Sequence, residues 1–113
     1  MEFSAAHRVG SADRAPVHGH NYVLEVTLAG EPDTESGMVL DLKQLKRVMD
    51  EQIGERFDHR NLNEDTPYFA DRLPTGENFA TLIYELLDAA LPSGLLQRVR
   101  LHPHEDHWIE VSR

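Results

Sequence analysis

The 113-residue chain has no cysteine. Disulfides, thiolate nucleophiles and cysteine-built zinc knots are therefore excluded. Aromatic residues make up 7%, with one tryptophan, and hydrophobic residues 40%, slightly below the globular norm. A core this modest often gains burial by oligomerising, so a homo-oligomer is expected. Positive charge is scarce: 11 Lys and Arg stand against 20 Asp and Glu, a net charge of −9. Phosphate backbones and anionic lipid surfaces attract basic proteins, so no nucleic acid and no membrane is expected as partner. No run approaches the roughly 20 apolar residues of a membrane helix. Met1-Glu2-Phe3-Ser4 has no basic segment leading into an apolar stretch, so no signal peptide is expected, and a cytoplasmic location fits. An anionic small molecule would need a local basic pocket. Arg8, Arg14, Lys43, Arg60 and Arg72 lie near the motifs below, although each reads first as solvated surface charge.

What remains is a patterned single domain, residues 1–113. Met1 to about Arg8 predicts a short strand with Phe3, Ala5 and His7 on one face. His18 to Ala29 predicts a long strand with His20, Tyr22, Leu24, Val26 and Leu28 sharing a face. Asp41 has the chemistry of an N-cap, with Gln44 closing a capping box. Leu42, Leu45, Val48, Met49 and Ile53 recur at helical spacing, and Gly54 is the expected terminator. Glu55 to Leu73 has little periodicity and reads as a long loop. Thr75 caps a second predicted helix, whose stripe is Phe79, Leu82, Ile83, Leu86, Leu87 and Ala90. Strands over Leu96–His102 and Trp108–Ser112 follow, joined by the loop Pro103–His107. The order is ββααββ, an α+β chain with an antiparallel sheet.

Histidine is the residue with the most suggestive placement. His18 and His20 are two apart and project from one face of a strand, and Gly19 between them adds no side chain. His7 lies 11 positions upstream in the preceding predicted strand. If the two strands are antiparallel neighbours, three imidazoles converge. Three neutral imidazoles with one open position is a catalytic zinc arrangement. The alternative for each is a solvated or backbone-bonded histidine. His102, His104 and His107 form a second group, which reads as an exposed hairpin rather than a metal site.

Four motifs then occur in order: Phe3-x-Ala5-Ala6-His7, His18-Gly19-His20-x-Tyr22, Asp58-His59-Arg60-x-Leu62-Asn63 and Pro74-Thr75-Gly76-Glu77-Asn78. Together they resemble the 6-pyruvoyltetrahydropterin synthase and 6-carboxytetrahydropterin synthase family over nearly the whole chain. The resemblance implies the tunnelling (T-) fold, with a four-stranded antiparallel sheet, two helices on one face, and a trimer-based ring, usually a hexamer. It implies Zn2+ held by His7, His18 and His20, with Asp58-His59 as a proton-carrying pair. It also implies a pterin substrate, 7,8-dihydroneopterin triphosphate or a relative, in tetrahydrobiopterin or queuosine biosynthesis; Glu105, Thr75, Glu77 and Arg14 are the candidate substrate-binding residues.

Two positions depart from the family pattern. The family cysteine, four residues before the first histidine of His-Gly-His, is Arg14, and the glutamate some relatives carry one residue later is Ala15. Arginine stays protonated and is a poor general base. The family's pterin-anchoring glutamate falls on Pro103, which leaves Glu105 as the nearby substitute. Asp13 and Glu105 are the candidate helpers in proton transfer. A pterin-processing synthase or lyase is the expectation. The alternatives are a non-catalytic metal- and pterin-binding homologue and a structural ring with an idle zinc site.

Overall fold

The computed structural model describes residues 1–9 and 16–113. Five strands form one sheet: β1 (Glu2–His7), β2 (His18–Leu28), β3 (Arg60–Asn61), β4 (Leu96–His104) and β5 (His107–Ser112), in the order β3-β1-β2-β4-β5. Three of the four pairings are antiparallel. The expected four-stranded antiparallel sheet therefore gains a fifth, two-residue strand, β3, parallel to β1. No periodicity could announce a strand this short. It forms because the chain after the first helical segment is hydrogen-bonded along β1, with the His59 amide donating to the Ser4 carbonyl (2.6 Å) and the Leu62 amide to Ala6 (2.8 Å).

The helices are α1 (Leu42–Met49), the three-residue α2 (Glu55–Phe57) and α3 (Gly76–Ala90), with a wider π-helical turn at Asp50–Gly54 joining α1 to α2. Asp41 caps α1 by accepting from the Lys43 amide at 2.9 Å, one residue earlier than a box with Gln44 requires. Gly54 does not end the helix. Its backbone is helical, and a Cβ there would come within 3.0 Å of the Met1 methyl carbon, so the glycine permits close packing. The chain leaves the helix four residues later, at the extended Asp58. Thr75 caps α3 through the Asn78 amide (3.1 Å).

The alternating face of β1 and β2 that carries Phe3, Ala5, Tyr22 and Leu24 packs against α3, whose Phe79, Ala80, Leu82, Ile83 and Leu87 are buried. Ile53, Phe57, Leu62 and Phe69 complete this core, so the segment read as a long loop is anchored by apolar side chains. Leu42, which fits the helical stripe, is 77% exposed. The opposite sheet face is polar. There Glu110 meets Arg100 at 2.6 Å and Arg98 at 3.8 Å, and Glu25 meets His102 at 3.0 Å.

The β4–β5 connection differs from the expected five-residue loop. The strands continue through His104 and resume at His107, which pair directly across a tight turn, after an irregularity in β4 between Leu101 and His104. That irregularity turns His104 toward His20.

Candidate metal centre and substrate cleft

The antiparallel register of β1 and β2 places His7 opposite His18 and Ala5 opposite His20. His7 and His20 continue the inward-facing series of Phe3 and Ala5 and of Tyr22 and Leu24, at the end of the sheet where the core opens. The ring centres are 4.7 Å apart for His7–His18, 5.0 Å for His7–His20 and 5.2 Å for His18–His20. One ring nitrogen of each lies within 4.8 Å of the other two.

His7 is the anchor. It is buried, and its Nδ1–H donates to the Pro74 carbonyl at 2.8 Å. That bond fixes the tautomer and leaves the Nε2 lone pair facing the cleft, the second-sphere arrangement that orients a metal-binding histidine. His7 Nε2 comes to 3.1 Å from His18 Nε2. Nitrogens sharing a tetrahedral ion at about 2.0–2.1 Å lie roughly 3.4 Å apart, so the donor set fits a small divalent cation. Burial is the chief cause of a lowered pKa at His7, opposed by the Pro74 bond and aided by His18. Burial also lowers His20, followed by the repulsion of His7, His18, His104 and His107. Both shifts favour the neutral, ligating form. Burial pushes the Tyr22 phenol up to about 12, so it stays protonated beneath the site. Gly19 is exposed, and a Cβ there would meet the Ala5 carbonyl only at 3.7 Å, so packing does not demand glycine.

A cleft of about 450 Å³ opens at the triad, walled by Thr75, Gly76 and Glu77 at the start of α3 and by Pro103, His104, His107 and Trp108 from the hairpin. Thr75 and Glu77 line this cleft, with the Thr75 hydroxyl also engaged in capping α3. His104 and His107 are exposed on the β4–β5 hairpin, as the sequence reading has them. From the hairpin they also line the cleft beside His20. Their three-residue spacing across a Glu105–Asp106 turn was the available signal.

Asp58 and His59 form a built pair beside a different cleft. Asp58 Oδ1 accepts from the Ser4 amide at 2.9 Å and lies 3.1 Å from His59 Nδ1. The Ser4 bond is the leading cause holding the Asp58 carboxyl below its usual range. His59 adopts a left-handed backbone, φ 59°, unusual for a residue with a Cβ. The Ser4 bonds to Asp58 and to the His59 amide fix that conformation from both sides, and such over-determined outliers collect at functional sites. The His59 side chain is 83% exposed and lines an approximately 480 Å³ cleft with Ser4, Gly19, His20, Asn21 and Arg60. His20 alone belongs to both clefts. Glu105 lies in a third, with Glu25 and His102. Arg14 and Asp13 fall outside the described residues.

Fold and cleft together define an α+β chain with a three-histidine candidate metal centre at one end of its sheet. The model of the 6-pyruvoyl tetrahydropterin synthase family matches residues 1–113. The chain is 39% identical to the 6-pyruvoyl tetrahydrobiopterin synthase of Pongo abelii, over 96% of this chain and 85% of that protein. It is 37% identical to the dihydroneopterin monophosphate aldolase of Pyrococcus furiosus, over 96% and 90%. The solved structure of Caenorhabditis elegans 6-pyruvoyl tetrahydropterin synthase superposes with a TM-score of 0.89 at 33% identity, covering 100% of this chain and 91% of that one. The chain belongs to the 6-pyruvoyl tetrahydropterin synthase family. No helix among its described residues is long and apolar enough to cross a membrane.

Proposed function

We propose that the chain is a zinc-dependent enzyme acting on the side chain of a phosphorylated pterin, 7,8-dihydroneopterin triphosphate or a close relative. The observation that carries this reading is the convergence of His7, His18 and His20 on one point at the mouth of a cleft. Those three side chains would hold the ion, which when bound supplies Lewis-acid polarisation of side-chain oxygens. Glu77, on the wall of that cleft, would accept paired N–H bonds from the heterocycle, the way a carboxylate recognises a guanidine-like edge. It takes this role in preference to Glu105, which lies in another cleft.

Proton transfer falls to His59, whose Nδ1 is held by Asp58 so that Nε2 is free to act as base and then acid. His59 faces outward into its own cleft, so it reaches a substrate at the triad of another copy. That requirement argues for a trimer-based homo-oligomer of the hexameric kind, in the cytoplasm. Likeness to both a synthase and an aldolase leaves two bond changes open to one site. Carbon–carbon cleavage of the side chain asks for a base at a hydroxyl and does not need a thiol, which suits a chain without cysteine.

The second reading is a metal- and pterin-binding homologue without turnover. It is favoured by Arg14 and Pro103 at the positions where the family carries its cysteine and its glutamate. Incubation of zinc-loaded protein with dihydroneopterin triphosphate, and separately with the monophosphate, decides between them by chromatography. Release of triphosphate or of a side-chain fragment supports the enzyme. Pterin bound without turnover, with zinc confirmed present, supports the second reading and makes Arg14→Cys the variant that restores activity.

A further inference from the structure

The triad cleft contains more imidazole than one ion uses. His104 and His107 face each other across the β4–β5 turn with ring centres 4.9 Å apart, and His104 lies 5.1 Å from His20. All five rings line one cleft. Two imidazoles on one tetrahedral ion have ring centres roughly 5 Å apart, given metal–nitrogen bonds of about 2.0–2.1 Å. The triad has that spacing, and the hairpin pair has it too.

The electrostatics of the cleft separate a metal site from an anion site. The imidazole ring nitrogen is a common ligand for divalent transition metals. Among the described residues of the cleft wall there is an acidic one, Glu77, and no lysine or arginine, in a chain of net charge −9. A phosphorylated substrate brought here needs positive charge that the described residues of this wall do not supply.

We propose that His104 and His107 form a second, weaker transition-metal site on the rim of the triad cleft, with its remaining positions taken by water or by a phosphate oxygen of the substrate. The two-histidine site stands on the hairpin geometry. Its phosphate role rests on the function proposed above. Two protein ligands hold an ion less tightly than three, so this site fills after the triad.

Titration of metal-free protein with zinc chloride by calorimetry tests it. The intact chain should take up two ions per copy in two separable phases. The His104→Ala/His107→Ala variant should lose the weaker phase and keep the stronger, and His18→Ala should do the reverse. His102→Ala, which removes a histidine outside the cleft, should keep both, and circular dichroism checks that each variant folds. Uptake of one ion by the intact chain, or two phases surviving in the double variant, would overturn the proposal. Survival of the stronger phase in His18→Ala would instead overturn the zinc reading of the triad. Inorganic phosphate should bind the protein carrying two zinc ions more tightly than the double variant, which keeps only the triad ion. Equal binding to both would remove the counter-charge role.

Discussion

Replacing Phe79 by alanine should be among the most damaging single changes to this fold. Phe79 is fully buried on α3. Its ring centre lies 5.0 Å from Phe57, 5.4 Å from Tyr22, 5.9 Å from Phe3 and 6.0 Å from Phe69, all edge-on. Tyr22 and Phe3 are on the strands that carry His20 and His7, so the same ring supports the metal-bearing end of the sheet. Removing a buried phenylalanine costs about 3–5 kcal/mol, and four aromatic contacts put this case toward the upper end. With 113 residues at about 2.1 cal/mol/K each, the unfolding entropy is about 0.24 kcal/mol/K, so Tm should fall by about 13–21 °C. Leu42→Ala is the paired control. Leu42 fits the apolar helical stripe of α1 equally well, but it is 77% exposed, and its loss should stay within about 0.5 kcal/mol, or roughly 2 °C. Thermal unfolding followed by circular dichroism reads both. A Phe79→Ala loss below about 4 °C, or a Leu42→Ala loss comparable with it, would refute the placement of the core.

Asp58→Asn should reduce stability at pH 7 and leave it nearly unchanged near pH 2. The folded carboxyl titrates below the ordinary 3.8, so its stabilisation is complete above that value and is lost as pH falls through the folded pKa. Urea midpoints at pH 6, 4 and 2.5 check this, and a gap between variant and parent that ignores pH would contradict it. Asn63→Ala should cost about 1–3 kcal/mol, because the Asn63 amide clamps the backbone of Arg8 from both sides, accepting from its N–H at 2.7 Å and donating to its carbonyl at 3.1 Å. Arg8 follows His7, so zinc affinity should drop about tenfold in the same variant, as for a lost outer-sphere support. Calorimetry showing unchanged affinity would separate the clamp from the site.

The parts of the fold that could be read from sequence are those with a period. Alternation marked β1, β2, β4 and β5, and the Phe79–Leu87 stripe marked α3, because burying one face imposes that spacing. The triad was legible for the same reason: His18 and His20 lie two apart on a strand, and His7 is carried by the strand that had to pair with it. What escaped depends on contacts distant in sequence. The two-residue β3 exists only because Ser4 and Ala6 offer backbone partners. Gly54 read as a stop because a glycine's local preference does not reveal that Met1 packs against it. The exposed hairpin of His104 and His107 was legible, but the approach of His104 to His20 was not, because the irregularity before His104 leaves no mark in residue type.

The central claim is that His7, His18 and His20 bind one zinc ion together. X-ray absorption at the zinc edge, on protein loaded with one equivalent, tests it most directly. The account predicts three imidazole nitrogens at about 2.0–2.1 Å and one further light-atom ligand, with the imidazole signal reduced in His18→Ala. A first shell dominated by carboxylate oxygen, or a spectrum that His18→Ala leaves unchanged, would contradict it.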